Sequence, residues 1–153
     1  MSSDIPVPDL DGSALRIAVI VARFNEHITS RLLEGALAAA GRYGVRDPAV
    51  YRVPGSFELP VVAQKLAKSG EFHAVVCLGC VIRHETDHNR YVAGEAAAGI
   101  QRASLDTGVP CIFGVLTCDS EEQALARSGG DKGNRGADAM QTAIETANLL
   151  RSL

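Results

Sequence analysis

The amino-acid sequence predicts a three-layer α/β fold, a parallel sheet of strand order 2-1-3-4 with helices on both faces. Two observations carry that expectation. Four runs read as strands: Arg16 to Ala22 and Ala74 to Ile82, which are apolar on both faces as covered strands are, and Ala49 to Val53 and Cys111 to Leu116. Between them lie segments with apolar residues at helical spacing, so strands and helices alternate, and right-handed crossovers restrict how such units join. At 153 residues the chain suits one domain with a core of its own.

Residues 1–14 mix Pro, Asp, Gly and Ser, and Pro6 and Pro8 forbid helix there. They read as an extended arm ahead of a single domain of residues 15–153, long enough to add an edge strand to a neighbour's sheet. After the first strand, Thr29 or Ser30 is the expected cap of a helix reaching about Tyr43. Its inner face is Leu32, Leu33, Ala36, Leu37 and Ala40, and Gly44 is its stop. The second strand runs into Pro54-Gly55, which is turn chemistry, and a helix follows from about Phe57 to Lys68.

The third strand leads to a helix from about Asn89 to Thr107, rich in Ala and Gly, so other backbones can come close to it. Gly108-Val109-Pro110 turns the chain into the fourth strand. Asp119 or Ser120 then caps a short helix, and Ser120-Glu121-Glu122-Gln123 fits the capping-box pattern. A Gly-rich break from Ser128 to Gly136 precedes the last helix, whose Ala137, Met140, Ala143, Ile144 and Ala147 face inward.

With 46% apolar and 22% charged residues the chain is of globular, not disordered, composition. A net charge of −3 gives no general attraction to nucleic acid or anionic membrane. No segment approaches the roughly 20 apolar residues of a membrane span. The first residues lack the basic and apolar regions of a signal peptide, so a cytoplasmic location is expected.

The stretch from Ala74 to Val92 organises the rest. Its apolar run gives way within one residue to Arg83-His84-Glu85-Thr86-Asp87-His88, five ionisable groups in six positions, and then to the long helix. Open α/β sheets keep their ligands where such a strand ends. His84-Glu85-Thr86-Asp87-His88 also matches H-E-x-x-H, a zinc-hydrolase signature. That chemistry needs both histidines one turn apart on a helix, whereas this motif begins where a strand ends. Tyr91 moreover occupies the position of the glycine in the extended pattern.

Cys77 and Cys80 form C-x-x-C, but residues three apart on a strand point to opposite faces. They are expected, with Cys111 and Cys118, to be reduced core residues. The order 2-1-3-4 sets Arg23-Phe24-Asn25 beside Arg83 to His88 and brings Val53 to Glu58 alongside. Three polar-tipped turns converge on one edge of the sheet.

Those turns, Ala22-Arg23-Phe24-Asn25, Val53-Pro54-Gly55-Ser56-Phe57-Glu58-Leu59-Pro60 and Val81-Ile82-Arg83, together with Phe113 to Thr117 and Glu122 to Arg127, resemble the lumazine synthase family over about Leu15 to Leu150. The resemblance implies a flavodoxin-like sheet and a transferase of riboflavin biosynthesis that uses neither metal nor cofactor. It condenses 5-amino-6-ribitylamino-uracil with 3,4-dihydroxy-2-butanone 4-phosphate to 6,7-dimethyl-8-ribityllumazine.

By the same resemblance, His88 is the catalytic histidine. Phe24, Asn25, Ser56, Phe57, Glu58, Val81, Ile82 and Phe113 bind the substrates. Glu85, Thr86 and Arg127 hold the phosphate, and Arg135 supplies a secondary charge where the family has lysine. Phe113 and Arg127 reach the site from an adjacent subunit. The implied partners are copies of the chain itself, in a pentamer that closes into an icosahedral 60-mer, and riboflavin synthase.

Three departures from the family pattern accompany the match. His84 replaces a glycine, and Asn89 and Arg90 replace an aromatic and an acid that follow the catalytic histidine. Two other readings stand beside the transferase: a zinc hydrolase using His84, Glu85 and His88, and a non-enzymatic flavin-binding or shell-forming relative.

Overall fold

The computed structural model describes residues 5–83 and 87–153. The strands are β1 (Ile17–Ala22), β2 (Ala49–Val53), β3 (Ala74–Ile82) and β4 (Cys111–Cys118), and the main helices are α1 (Glu26–Arg42), α2 (Leu59–Lys68), α3 (His88–Thr107), α4 (Glu121–Ala126) and α5 (Arg135–Ser152). The four strands form one parallel sheet in the order β2-β1-β3-β4, the flavodoxin-like arrangement that the sequence predicts.

Strand periodicity divides the core in two. Val19, Val76, Leu78 and Cys80 point to the side covered by Leu32 of α1 and Met140 and Ile144 of α5. Ile20, Val75, Cys77 and Val81 point to the side covered by Leu59 and Ala63 of α2 and Ile100 of α3. Cys77 and Cys80 therefore lie in different layers, as their spacing requires, and all four cysteines are buried free thiols.

Several boundaries differ from the sequence reading, each for a local reason. Helix α1 starts at Glu26, capped by Asn25 rather than by Thr29 or Ser30, because Asn25 adopts the left-handed conformation (φ 61°, ψ 46°) and turns the chain at once. Thr29 is consequently buried inside the helix rather than capping it, and Leu37 is partly exposed. The helix ends as expected at Gly44 (φ 85°), with Val45 N–H bonded to Ala40 O at 2.9 Å and Gly44 N–H to Gly41 O at 3.3 Å, the paired closure of a Schellman motif.

Residues Ser56–Glu58 form a single 3₁₀ turn before α2, so the expected α-helical start at Phe57 falls at Leu59. Strand β4 runs two residues beyond Leu116, because its pairing with β3 continues to Ile82 opposite Cys118. Ser120 caps α4 by accepting from Gln123 N–H at 3.2 Å, but the Gln123 side chain returns to Asp119 N–H (2.8 Å) instead of completing the box on Ser120.

The Gly-rich break is not shapeless: it folds into a small antiparallel pair, β5 (Ser128–Gly130) and β6 (Gly133–Asn134). Asn134 then caps α5 through Gly136 and Ala137 N–H. The arm is tied down at one end, where Asn148 Nδ2 donates to Asp9 O and Asp11 O, both at 3.0 Å. Ile5 and Val7, further out, are exposed.

Candidate active site

The strands of a parallel sheet all end at one edge, and here three of those ends build a cleft of about 610 Å³. Phe24 and Asn25 come from the exit of β1, Ser56, Phe57 and Glu58 from the exit of β2, and Cys80, Val81 and Ile82 from the end of β3. His88, Asn89, Tyr91 and Val92, in the first turns of α3, close the remaining side. The sequence reading had named eight of these residues, and they meet as the order 2-1-3-4 requires.

Each wall has a physical cause. Strand β1 leaves the sheet at Ala22, and the chain leans towards β2: Arg23 N–H donates to Val53 O (2.8 Å) and Phe24 N–H to Pro54 O (2.9 Å). Phe24 is thereby held at the rim with 66% of its surface exposed, and Phe57 faces the same opening. An exposed phenyl ring lining a concavity is a flat apolar surface waiting for a partner. Ser56 lies packed against β3, where a Cβ on Gly79 would fall 2.3 Å from its hydroxyl oxygen, so only glycine allows the second turn to come this close.

Glu58 bends back so that its Oε1 accepts from Gly55 N–H at 2.9 Å. That bond fixes the carboxylate beside the cleft through one of its two oxygens. Cys80 contributes no nucleophile, since burial chiefly, with Cys118 and Glu121 adding, pushes its thiol up to about 12. Asn89 and Tyr91 line the cleft too, although only Asn89's departure from the family pattern, and not its place in a wall, was read from the sequence. Their signal is helical geometry: residues one and three positions after His88 share the end of the helix that faces the strand exits.

Some residues lie elsewhere. Phe113 and Arg135 line a second cavity of about 550 Å³, where α3 and α5 flank the free edge of β4. Arg127 follows α4 and donates to Gln123 O at 3.0 Å. Glu85 and Thr86, expected to hold phosphate, lie outside the described residues, as does His84. Helix α3 begins at His88, the last residue of the H-E-x-x-H pattern. Among the described residues no three His, Cys, Asp or Glu side chains gather as metal ligands would, and no helix is long and apolar enough to cross a membrane.

A flavodoxin-like sheet with an aromatic, carboxylate- and histidine-bearing cleft at its carboxyl edge defines an α/β enzyme of the small-molecule type. Residues 14–151 match the model of the 6,7-dimethyl-8-ribityllumazine synthase family, and the chain belongs to that family, whose named members are transferases of riboflavin biosynthesis. It is 57% identical over 140 residues to the chloroplastic 6,7-dimethyl-8-ribityllumazine synthase of Arabidopsis thaliana, covering 90% of this chain and 62% of the plant protein. The chloroplastic relative from Spinacia oleracea is 52% identical over 89% of this chain and 62% of its own length. A bacterial relative of the same name, from Syntrophus aciditrophicus (strain SB), is 55% identical over 94% of this chain and 95% of its own. The chain thus spans less than two thirds of the plant proteins and nearly all of the bacterial one.

Proposed function

We propose that this chain condenses 5-amino-6-ribitylamino-uracil with 3,4-dihydroxy-2-butanone 4-phosphate, forming 6,7-dimethyl-8-ribityllumazine and releasing phosphate and water. The observation that carries this reading is the meeting of Phe24, Phe57, Glu58 and His88 in one cleft of a chain that belongs to this family.

The roles follow from the chemistry of each group. Phe24 offers its face to the planar pyrimidine, with Phe57, Val81 and Ile82 bounding it. The ribityl chain carries hydroxyls, which the carboxylate of Glu58, the Ser56 hydroxyl and backbone groups of the Ser56-Phe57 turn can satisfy. The amine of the pyrimidine attacks the ketone carbonyl, and loss of water gives an imine. Elimination of phosphate leaves an enol at the carbon that bore the C3 hydroxyl, which tautomerises to a ketone. The ribitylamino nitrogen then closes on that carbonyl with loss of a second water. Each step moves a proton near neutral pH, and an imidazole at the cleft wall, His88, suits that work. Holding two reactants side by side supplies much of the acceleration on its own.

The phosphate role falls to Arg127, assisted by Arg135 and by Glu85 and Thr86. Neither Arg127 nor Phe113 lines this chain's own cleft, which suits the family's arrangement in which both act on a neighbouring copy's cleft. The assembly is a pentamer, and the short break at residues 129–134, without insertion, favours its closure into an icosahedral shell of 60 copies. Riboflavin synthase is the protein partner such a shell would house, and the cytoplasm is its compartment.

Mixing the purified chain with both substrates and following the fluorescence of the lumazine tests the reaction. Product formation above the uncatalysed rate is expected. A rate equal to the protein-free control would defeat the reading, and activity lost to a chelator would favour zinc hydrolysis. Light scattering tests the assembly, where a sole species of pentamer size would remove the shell.

A further inference from the structure

We propose that Asn25 is a positioning residue, a clamp that fixes Phe24 over the cleft by tying the end of β1 to the end of β3. This rests on the reading of the cleft as the pyrimidine site and assigns Asn25 a task other than direct binding.

The case begins with what Asn25 does not do. An asparagine at a helix N-cap ordinarily uses its side-chain oxygen on an N–H of the first turn. Asn25 is the N-cap of α1, yet its side chain makes no capping bond. Its Nδ2 instead donates to Cys80 O at 2.9 Å, across 55 residues of sequence.

The place of that bond explains it. Pairing of β1 with β3 ends at Val21 opposite Leu78, because β1 has by then leaned towards β2. The carbonyl of Cys80 lies two residues past the last paired position, and the Asn25 amide meets it there in place of a ladder N–H. The backbone makes the same demand. Asn25 sits at φ 61°, a region that asparagine and glycine tolerate and most residues do not.

Phe24 is thus held between two ties. Its own N–H is bonded towards the exit of β2, at Pro54 O, and the next side chain is bonded towards the end of β3. The dipeptide spans the top of the cleft, and the direction of the exposed ring depends on both anchors.

The test uses Asn25→Asp and Asn25→Gly, each alone and in a Phe24→Ala background. Asp keeps the size and an acceptor oxygen but sets a carboxylate against the Cys80 carbonyl. Gly keeps the left-handed backbone and removes the tie. Asn25→Asp is expected to raise KM for the pyrimidine by about three- to tenfold, the loss of one part-buried hydrogen bond, with the KM for the ketone phosphate unchanged. Asn25→Gly should show a smaller rise.

In the Phe24→Ala background both effects should shrink below about twofold, because a clamp acts through the ring it holds. A pyrimidine KM unchanged in Asn25→Gly would overturn the proposal, and effects that multiply independently of Phe24 would overturn it too, making Asn25 a direct ligand instead. Should Asn25→Asp fail to fold, Asn25→Gly decides alone. NMR of the Phe24 ring supplies a readout free of catalysis: its signals should shift in Asn25→Gly, and an unmoved ring would overturn the clamp. A wild-type chain that makes no lumazine would defeat the reaction while leaving that ring measurement to judge the clamp.

Discussion

The two ends of the central strands are finished in opposite ways. At the amino end of the sheet, Arg16 N–H donates to His73 Nδ1 at 2.9 Å and His73 N–H returns to Arg16 O at 2.8 Å. Leu15 is buried there, and Gly12 N–H is bonded to Tyr43 O at 2.8 Å. At the carboxyl end Phe24, Phe57 and Tyr91 are 66%, 56% and 70% exposed. One end completes itself with its own groups. The other leaves apolar rings and hydrogen-bonding groups for a ligand, so changes at the two ends should register in different measurements.

The largest effect should come from neither end but from the layer beneath. A Cβ at Gly136 would fall 1.9 Å from Leu32 O, where α5 crosses α1. Backbone cannot yield as a side-chain tip can, so Gly136→Ala should lose stability at or above the upper end of the ~1–3 kcal/mol typical of overpacking. Chemical denaturation would measure it, with turnover per folded molecule held near wild type. A stable variant with poor turnover would break the division between scaffold and cleft.

At the carboxyl end His88→Ala should leave stability alone and slow turnover by up to about a hundredfold, the low end for general acid–base groups. The remaining rate reflects the proximity of the two bound substrates. Stopped-flow or steady-state fluorescence would check it. Complete loss with folding intact would show that proton transfer outweighs positioning.

The same contrast governs what could be read from sequence. The sheet order was legible because four strand-like runs with helical segments between them admit few right-handed arrangements, and that order alone brings Phe24, Glu58 and His88 together. The start of α1 was not legible. Capping preference pointed to Thr29 or Ser30, but the cap is Asn25, left-handed and with its side chain bonded to Cys80 O far along the chain. The pairing of β5 with β6 was hidden as well, since glycines that mark a loop also permit a tight hairpin. Tyr91 escaped notice as a cleft residue because its exposure and place depend on how α3 meets the strand ends. Local rules held where local chemistry decides, and lapsed where a partner distant in sequence does.

A smaller effect separates phosphate binding from the cleft. Under the proposed function Arg127→Ala removes a charge-assisted partner of the phosphate, worth roughly 1.5–3 kcal/mol, so KM for the ketone phosphate should rise about tenfold or more while that for the pyrimidine holds. An equal rise in both would make Arg127 a residue of the subunit interface instead.

The smallest effect lies at the closed end and depends on pH. His73 accepts the Arg16 N–H through Nδ1, so the ring must be neutral there, with its proton on Nε2. Burial first, then the charges of Arg151 and Arg16, lower its pKa from the ordinary 6.5. As pH falls below about 6.5 the unfolded chain takes up a proton that the folded chain resists. The stability His73 contributes is therefore fully present above about pH 6.5 and is lost as pH falls through its lower folded value. His73→Ala should be less stable than wild type at pH 8 by about 0.5–1.5 kcal/mol, one net hydrogen bond. The gap should close on acidification towards pH 5, as denaturation series at each pH would record. A gap that widened instead would mean that the folded chain favours the imidazolium, and that the amino end of the sheet is not the self-completed structure its hydrogen bonds describe.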